Sequence, residues 1–351
     1  MAVIPVESLV RSLLIAALAA GGFMAAPSRP ALADDGNARA LQRTWARTDG
    51  PVVAGFVDRT WMWGPALTAE MQEAASDVPG GLRAVQYFDK SRMEITNPNA
   101  ADDGLWYVTN GLLAREVVTG QLQLGAHDFE AREPASVNVA GDPDDALGPT
   151  YASFGQLLDA APIPNGWLVT QRVDRHGAVT EDAALGEHGV TAHVRVTEPG
   201  IDHQVASVFW ELMTSSGMVV EGNRYTPGTL FLNPYYATSY PITEPYWASV
   251  RVGGTPKDVL VQVFERRVLT YTPDNPPGWR VEAGNVGRHY YHWRYGALPA
   301  EPGPPMFEPS TVHDYMDDML AELQWVMSGW DGHNAVSVTD LQTGRSVSVN
   351  G

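Results

Sequence analysis

Cysteine is absent from this chain of 351 residues. Its absence excludes disulfide bridges, thiolate zinc sites and a cysteine nucleophile, so small structural units must be held together by packing alone. Lysine is almost absent as well, since Lys90 and Lys257 are the only two. Catalytic schemes that place a lysine beside a serine therefore have few available positions.

Basic residues are outnumbered, with 23 lysines and arginines against 41 acidic residues and a formal net charge of −18. A nucleic-acid-binding surface would have to form against the field of the chain itself, so we expect no nucleic-acid partner. The remaining composition, 44% hydrophobic and 18% charged, is that of an ordinary globular protein. A chain of this length can form two or three domains.

The N-terminus has the pattern of a secretory signal. Arg11 precedes an apolar run over residues 12–26, prolines interrupt the chain at 27 and 30, and Ala31-Leu32-Ala33 then supplies small residues at 31 and 33. A membrane anchor is the alternative, but about 15 apolar residues fall short of the roughly 20 that cross a bilayer. We therefore predict a signal peptide over 1–33, and a secreted or cell-surface mature protein without a transmembrane segment.

Two distant segments of the chain resemble each other. Residues 85–90, VQYFDK, align with residues 261–266, VQVFER, at an offset of 176. The same offset pairs prolines 65 and 241, threonines 96 and 272, and asparagines 99 and 275; an offset of 173 then pairs Val108, Gly111 and Arg115 with Val281, Gly284 and Arg288. Two copies of one structural unit are the simplest interpretation.

Each copy reads as a β-hairpin followed by a helix. Residues 259–264 and 268–272 have strand propensity around the charged turn 265–267, and Val286, Tyr290 and Trp293 recur at helical spacing within 284–295. Because a lone hairpin is marginal in water, we expect hairpin, helix and neighbouring unit to share one core.

These residues resemble the LGFP-type repeats of bacterial envelope proteins. The resemblance rests on residues 240–243 (YPIT), 261–266, Tyr271 and 281–287, which follow the repeat pattern G-x-P, Q-x-F-E, Y/W-x-P and G-x-I/V. The second copy has Tyr240 in place of the first glycine, and the first copy has Asp89-Lys90 in place of Glu-Arg. The resemblance implies an envelope location and a non-catalytic accessory role.

Between the copies, the segment 141–225 is interpreted as an inserted or degenerate third unit. It contains predicted strands at 167–170 and 191–196 and a predicted helix at 205–213 that ends at Gly217. The expected fold is α+β, with the following parts: signal peptide 1–33, first LGFP-like unit 34–140, middle unit 141–225, second LGFP-like unit 226–297, proline-rich linker 298–309 and a C-terminal module 310–351.

Aromatic clusters are the candidate binding residues, because flat amphipathic rings stack on sugar faces. The candidates for a cell-wall glycan are Tyr235, Tyr236, Tyr240, Tyr246, Trp247, Tyr290 and Trp293. Core packing explains the same rings equally well, and both interpretations stay open at this point.

Metal and catalytic patterns are weak. His289 and His292 have ligand spacing without a third ligand nearby, so surface histidines are expected, and Asp142, Asp144 and Asp145 fit a solvated turn better than an EF-hand. G-x-S-x-G, H-E-x-x-H, P-loop and G-x-G-x-x-G motifs do not occur. We predict no catalytic residue, cofactor or metal in the chain as given.

The C-terminal module has a pattern of its own. Five prolines in 298–309 predict an extended spacer, and apolar residues from Val312 to Met327 predict an amphipathic helix that ends at Gly329. Strands are predicted at 335–340 and 345–349 around a turn at Thr343-Gly344. This order, with residues 334–344 and 347–351, resembles the opening of class A β-lactamases and penicillin-binding serine hydrolases.

That resemblance implies a serine nucleophile in an S-x-x-K motif beyond the hairpin. Within the chain, Tyr87 and Gly254 stand three residues before the two lysines, and S-D-N and K-T-G are absent, so no catalytic residue is assigned. Either the module is the start of a longer domain or it docks onto the upstream units. Three functions result: an exported envelope or glycan-binding module, the N-terminal part of a serine hydrolase, or a structural spacer.

Overall fold

The computed structural model describes residues 35–100, 104–299, 315–328, 335–339 and 344–350. The predicted signal peptide and most of the predicted linker lie outside the described residues. All described residues belong to one unit, Leu32–Gly351. They form a mixed α+β fold, as the sequence predicts, with the following elements.

The helices are α1 (Asp35–Val53), α2 (Leu113–Thr119), α3 (Tyr151–Phe154), α4 (Ser207–Met213), α5 (Val286–Tyr295) and α6 (Tyr315–Ser328). The strands are β1 (Ala69–Ala74), β2 (Leu82–Tyr87), β3 (Arg92–Ile95), β4 (Gln121–Gln123), β5 (Phe129–Ala131), β6 (Gln171–Val173), β7 (Val179–Glu181), β8 (Ala192–Glu198), β9 (Ile201–Ala206), β10 (Ser216–Glu221), β11 (Arg224–Thr229), β12 (Tyr246–Val252), β13 (Thr255–Val263), β14 (Val268–Tyr271), β15 (Val281–Ala283), β16 (Val336–Thr339) and β17 (Ser346–Val349).

Two sheets organise most of the fold. A three-stranded antiparallel sheet has the order β1-β2-β3, and a six-stranded sheet has the order β15-β14-β13-β12-β6-β7. The six-stranded sheet is antiparallel except where β6 runs parallel to β12, with Arg172 opposite Trp247. Strands of the middle segment therefore extend the sheet of the predicted second unit.

The two sheets contain meanders with the same strand pairing. Ala84 lies opposite Ile95 and Val85 opposite Glu94 in the first sheet, while Leu260 lies opposite Tyr271 and Val261 opposite Thr270 in the second. Each pair in one sheet matches a pair in the other at an offset of 176. The pairing then continues, since the bridge Glu94–Thr109 corresponds to Thr270–Glu282.

The helices that follow these meanders pack reciprocally. Arg115 of α2 donates its backbone N–H to Glu265 O at 3.0 Å, and Arg288 of α5 donates its N–H to Asp89 O at 3.1 Å. Their side chains also form ion pairs with the same two residues, at 2.8 Å and 3.8 Å. Each helix start thus contacts the turn of the other meander, and the two segments share one buried core.

The middle segment differs from the sequence-based expectation in three places. Residues 167–170 form only a single bridge, Leu168 to Thr191, instead of a strand. The predicted helix start at Val205 is wrong, because residues up to Ala206 pair with β8 and α4 begins at Ser207. Gly217 lies within β10, where it pairs with Gly228, and so does not stop a helix.

The C-terminal module consists of α6 and the antiparallel β16–β17 hairpin, which confirms the predicted helix and strands. It contacts the upstream part of the chain, since Asp318 pairs with Arg224 of β11 and the Arg345 guanidinium lies 4.4 Å from the centre of the Phe56 ring. Trp325 remains 77% exposed on α6. Among the described helices, none combines the length and apolar character needed to cross a membrane.

Candidate functional site

A cleft of about 730 Å³ lies beside α1, and we call it the α1 cleft. Its walls are α1, the segment 104–108, the turn between β10 and β11, and the segment 230–237. This volume falls within the range of small-molecule sites. The residues that line the cleft come from segments nearly 200 residues apart in the chain.

The sequence of α1 separates two faces. Leu41, Trp45 and Asp49 recur every four residues and are buried, which anchors the helix on the core. Arg39, Arg43 and Arg47 recur with the same spacing and line the cleft. At 1.5 Å rise per residue the three arginines span about 12 Å along one wall.

Asp49 fixes the floor of the cleft. Its buried carboxylate accepts hydrogen bonds from the backbone N–H groups of Met62, Trp63 and Gly64 at 2.8–3.0 Å. Burial raises the pKa of Asp49, although the three N–H donors act in the opposite direction. Because these donors have no other described acceptor, the carboxylate holds residues 62–64 against α1.

Arg267 supports the same floor from behind. Its buried guanidinium donates to Ala237 O at 2.9 Å, to Asn110 Oδ1 at 3.0 Å and to Met62 O, and it lies 4.8 Å from the centre of the Trp63 ring. Burial lowers its pKa to about 9. The floor is thus held by buried polar contacts, which position Met62, Trp63 and Ala237 in the cleft.

Basic side chains outnumber acidic ones among the described residues that line the α1 cleft. Glu221 is the only acidic residue among the described lining residues, against three arginines. Arg47 pairs with Glu221 and donates to Thr229 O at 2.7 Å, which orders its guanidinium between α1 and the β10–β11 hairpin. One of the three arginines is therefore neutralised within the cleft.

The lining of the cleft also includes apolar side chains, which we call the apolar wall: Leu105, Val108, Val220, Leu230, Phe231 and Leu232. Leu230 is buried, whereas Leu232 is 62% exposed at the rim. Apolar side chains in a cleft of this volume can cover the apolar part of a small molecule.

The predicted glycan-binding aromatics do not line up as one exposed platform. Tyr236, Tyr246, Trp247 and Tyr290 are buried in the core. Tyr235 and Tyr240 are half-buried with ring centres 5.1 Å apart, and Trp293 donates its indole N–H to Glu133 O at 2.8 Å. Of the seven rings, only Tyr236 lines the α1 cleft.

The two predicted surface histidines differ from each other. His292 is exposed, but His289 is largely covered, and its Nδ1 lies 2.9 Å from the hydroxyl of Tyr151. Burial lowers the pKa of His289 to about 4, and the nearby Lys90 and Arg288 act in the same direction. Across the described part of the chain, no cluster of three histidine or carboxylate side chains could hold a metal ion.

Asp142, Asp144 and Asp145 form hydrogen bonds or ion pairs with other residues of the chain. Asp142 accepts hydrogen bonds from the N–H groups of Gly253 and Gly254, both at 2.8 Å, at the turn between β12 and β13. Asp145 accepts the N–H of Arg251 at 2.8 Å, and Asp144 pairs with the Arg251 guanidinium at 2.5 Å. The segment forms an exposed turn, as the sequence predicts, and its aspartates also brace the β12–β13 hairpin.

We expect Asp142→Asn to lower the melting temperature at pH 7. The two glycine N–H groups lower the pKa of Asp142, so its charged form stabilises the folded chain above pH about 4. That contribution is lost as the pH falls through the lowered pKa. The difference between variant and parent should therefore shrink from pH 7 to pH 3, as measured by thermal unfolding followed by circular dichroism.

Asp144→Asn is the matched control, because Asp144 is highly exposed and contacts only the Arg251 side chain among the described residues. It should change the melting temperature less than Asp142→Asn does. Equal effects of the two variants, or a difference that grows in acid, would contradict this assignment.

A second buried polar cluster lies between the three-stranded sheet and α5. Arg92 contacts Glu73 at 2.9 Å and Glu94 at 2.6 Å, and Glu73 also contacts Arg294 at 3.3 Å. Burial alone would raise the pKa of Glu73, but Arg92, Arg294 and hydrogen bonds from the hydroxyls of Tyr295 and Tyr87 together lower it. Because each of these charges is paired, the cluster stabilises the fold and offers no open position for a substrate.

The spacing of the arginines on α1 is visible in the sequence, but sequence reasoning did not single it out. Their i, i+4, i+8 pattern is typical of any solvated helix face. What distinguishes it is that the fold places apolar side chains from other segments in the same cleft. No protein-family model, curated protein or solved structure matches this chain, so the α1 cleft has to be interpreted from its own geometry.

Proposed function

We propose that this protein is an exported, non-catalytic module of the cell envelope that binds a ligand in the α1 cleft. The observation that carries the proposal is the cleft itself, whose lining combines three arginines of α1 with apolar side chains of other segments. The predicted signal peptide and the LGFP-like residues support the location.

We also infer that the two meander-helix segments are two copies of one unit. Support comes from the equal strand pairing at an offset of 176 and from the reciprocal contacts of Arg115 and Arg288. In this interpretation the copies form the scaffold, whereas α1 and the β10–β11 hairpin, which lie outside the matched segments, form most of the binding site.

We expect the full chain to be retained on isolated cell envelopes, and Leu232→Glu to reduce the retained fraction about tenfold, since a carboxylate on the apolar wall would have to be desolvated there. Leu232 is largely exposed, so the variant should fold normally. Retained protein is measured by co-sedimentation, with and without prior solvent extraction of lipids.

Leu147→Glu is the matched control, because Leu147 is another exposed leucine and lies outside the cleft. Its retention should equal that of the parent. Equal retention of all three proteins would contradict binding through the cleft, and no retention of the parent would favour the spacer. Retention that survives lipid extraction would indicate the glycan partner predicted from the sequence.

The N-terminal part of a serine hydrolase domain is a second candidate for residues 310–351. It is favoured by α6 and the β16–β17 hairpin, in which Val336, Val338, Val347 and Val349 are half-buried while the alternating serines and threonines are exposed. In this proposal an S-x-x-K motif would be encoded beyond codon 351. Sequencing that reading frame tests it, and a stop codon in its place would remove the candidate.

A further inference from the structure

We propose that Trp210, Tyr235 and Tyr240 form a binding surface for a neutral β-linked oligosaccharide, whose sugar rings stack on the three aromatic rings. We call this surface the aromatic row. None of its three side chains lines the α1 cleft. The inference therefore adds a second binding site and does not rest on a ligand being bound in the cleft.

The fold brings the aromatic row together from two segments. Trp210 belongs to α4, whereas Tyr235 and Tyr240 lie between β11 and β12. The ring centres of Trp210 and Tyr235 are 5.9 Å apart, and those of Tyr235 and Tyr240 are 5.1 Å apart. Each side chain is half-buried, so part of each ring faces solvent. Tyr235 therefore joins the other two rings into one surface.

The polar atoms of the aromatic row are available to a ligand. Within the described part of the chain, the indole N–H of Trp210 and the hydroxyls of Tyr235 and Tyr240 form no hydrogen bond to the protein, and all three atoms are accessible to solvent. Burial, Tyr240 and Glu198 raise the pKa of Tyr235, so its hydroxyl keeps its proton at neutral pH. Rings with apolar faces and free polar edges match sugars, which have C–H groups on their faces and hydroxyls at their edges.

The repeated scaffold does not need a ring at position 240. The residue at the matched position of the first copy is Gly64, which is buried and has no side chain. There α1 covers the backbone, since Trp45 donates its indole N–H to Gly64 O at 2.9 Å and Asp49 accepts the Gly64 N–H at 3.0 Å. In the two-copy interpretation the scaffold accommodates glycine at this position, which favours a binding role for the Tyr240 ring.

The aromatic row is held in place without a ligand. Tyr235 donates its backbone N–H to Asn233 Oδ1 at 2.8 Å, and its carbonyl oxygen accepts the N–H of Ser239 at 2.8 Å. Tyr240 O accepts the N–H of Glu265 at 2.9 Å, and the Glu265 carboxylate accepts the Ser239 hydroxyl at 2.6 Å. Rigid aromatic side chains on a fixed backbone lose little conformational entropy on binding.

Charge and shape narrow the ligand class. The chain has a net charge of −18, and its field disfavours an acidic polymer, so an uncharged saccharide fits this surface better. β-Linked oligosaccharides form extended chains whose successive rings can lie along a row, whereas α-linked glucose chains coil. We therefore expect recognition of an extended, neutral, β-linked chain.

The test is isothermal titration calorimetry of the full chain with cellotetraose, chitotetraose, maltotetraose and glucose. We expect cellotetraose or chitotetraose to bind at least about tenfold more tightly than α-linked maltotetraose and glucose, because only an extended chain contacts several rings at once. The affinity should be equal at low and high salt, since the ligand is uncharged.

Tyr240→Ala should lower the affinity for the better tetrasaccharide at least about tenfold, and Tyr240→Phe should lower it much less, because phenylalanine keeps the ring face. Tyr240→Ala is expected to fold, since the matched position holds Gly64. Trp167→Ala is the control, because Trp167 is 66% exposed and lies outside the aromatic row. It should bind as the parent does, and thermal unfolding followed by circular dichroism checks that each variant is folded.

Equal affinity of the parent and Tyr240→Ala would overturn the assignment of the surface. Equal affinity for glucose and the tetrasaccharides would overturn the action of the three rings as one row. Loss of binding at high salt would indicate recognition through charge instead of stacking, and binding of none of the four saccharides would overturn the inference as a whole.

The inference and the proposed function fail in different ways. Envelope retention that depends on Leu232, without binding of any saccharide, would leave the proposed function standing and reject the aromatic row as a sugar site. Saccharide binding that depends on Tyr240, together with envelope retention that does not depend on Leu232, would reject binding through the α1 cleft and leave this inference standing.

Discussion

Replacing Arg92 with methionine is expected to lower the free energy of unfolding by about 3–5 kcal/mol, the usual result of breaking a buried ion pair from one side. Arg92 is 2% exposed and lies between Glu73 and Glu94, which are buried as well. Methionine fills most of the volume but supplies no donor. The two carboxylates would then lose their main counter-ion in a region from which water is excluded.

The neighbouring groups cannot replace Arg92 fully. Arg294 contacts Glu73 and Arg83 contacts Glu94 at 3.3 Å each, so each carboxylate keeps one distant partner. The Tyr87 hydroxyl donates to Glu73 at 2.5 Å and stays in place. These contacts limit the loss of stability. We therefore expect the variant to fold, but with a lower free energy of unfolding.

Arg195→Met is the matched control for Arg92→Met. The Arg195–Asp202 pair has two hydrogen bonds of 2.7 Å but is about half exposed, so its loss should cost no more than about 1 kcal/mol. Urea unfolding of both variants measures the difference. A cost for Arg92→Met as small as that of the control would mean that the cluster is hydrated in solution.

The second large effect concerns a glycine inside a helix. We expect Gly287→Ala to destabilise the protein by about 1–3 kcal/mol, the range for overpacked positions. A Cβ atom at this position would lie 2.1 Å from Phe88 O and 2.5 Å from Ser91 O, and both are backbone atoms. Helix α5 would have to move away from the turn between β2 and β3.

This expectation opposes helix propensity. Alanine is favoured over glycine within a helix by about 1 kcal/mol, so propensity alone predicts a more stable variant. Gly104→Ala is the control, because a Cβ there meets no atom within 4 Å. Thermal unfolding of both variants decides the sign, and a melting temperature for Gly287→Ala at or above that of the parent would contradict the close packing of α5.

Local elements of this fold are largely predictable, because their signals lie within a few residues. The strands 259–264 and 268–272, the helix 284–295 and the C-terminal helix and hairpin occur close to the predicted positions. The wrong helix start in the middle segment arises because its local apolar pattern fits two structures. Residues up to Ala206 have an apolar pattern that suits either a helix or a buried strand, and pairing with β8 selects the strand.

The candidate site is not predictable in this way. Arg47 meets Glu221 and Arg267 meets Met62 O, across 174 and 205 residues. The sequence around aromatic residues such as Trp247 and Tyr290 does not tell whether their rings are buried or exposed. The fold buries both. Sequence spacing alone could not reveal either outcome.

The amino-acid sequence by itself determined the short-range features of this protein: the absence of cysteine chemistry, the strong negative charge, and hairpins followed by helices, because turn residues and apolar spacing act over a few positions. Only the tertiary structure decided which rings are buried, that the aspartates 142–145 brace a hairpin, and that arginines of α1 and apolar side chains of distant segments line one cleft. These outcomes depend on contacts between segments distant in the chain, which are specified by packing and not by local preference.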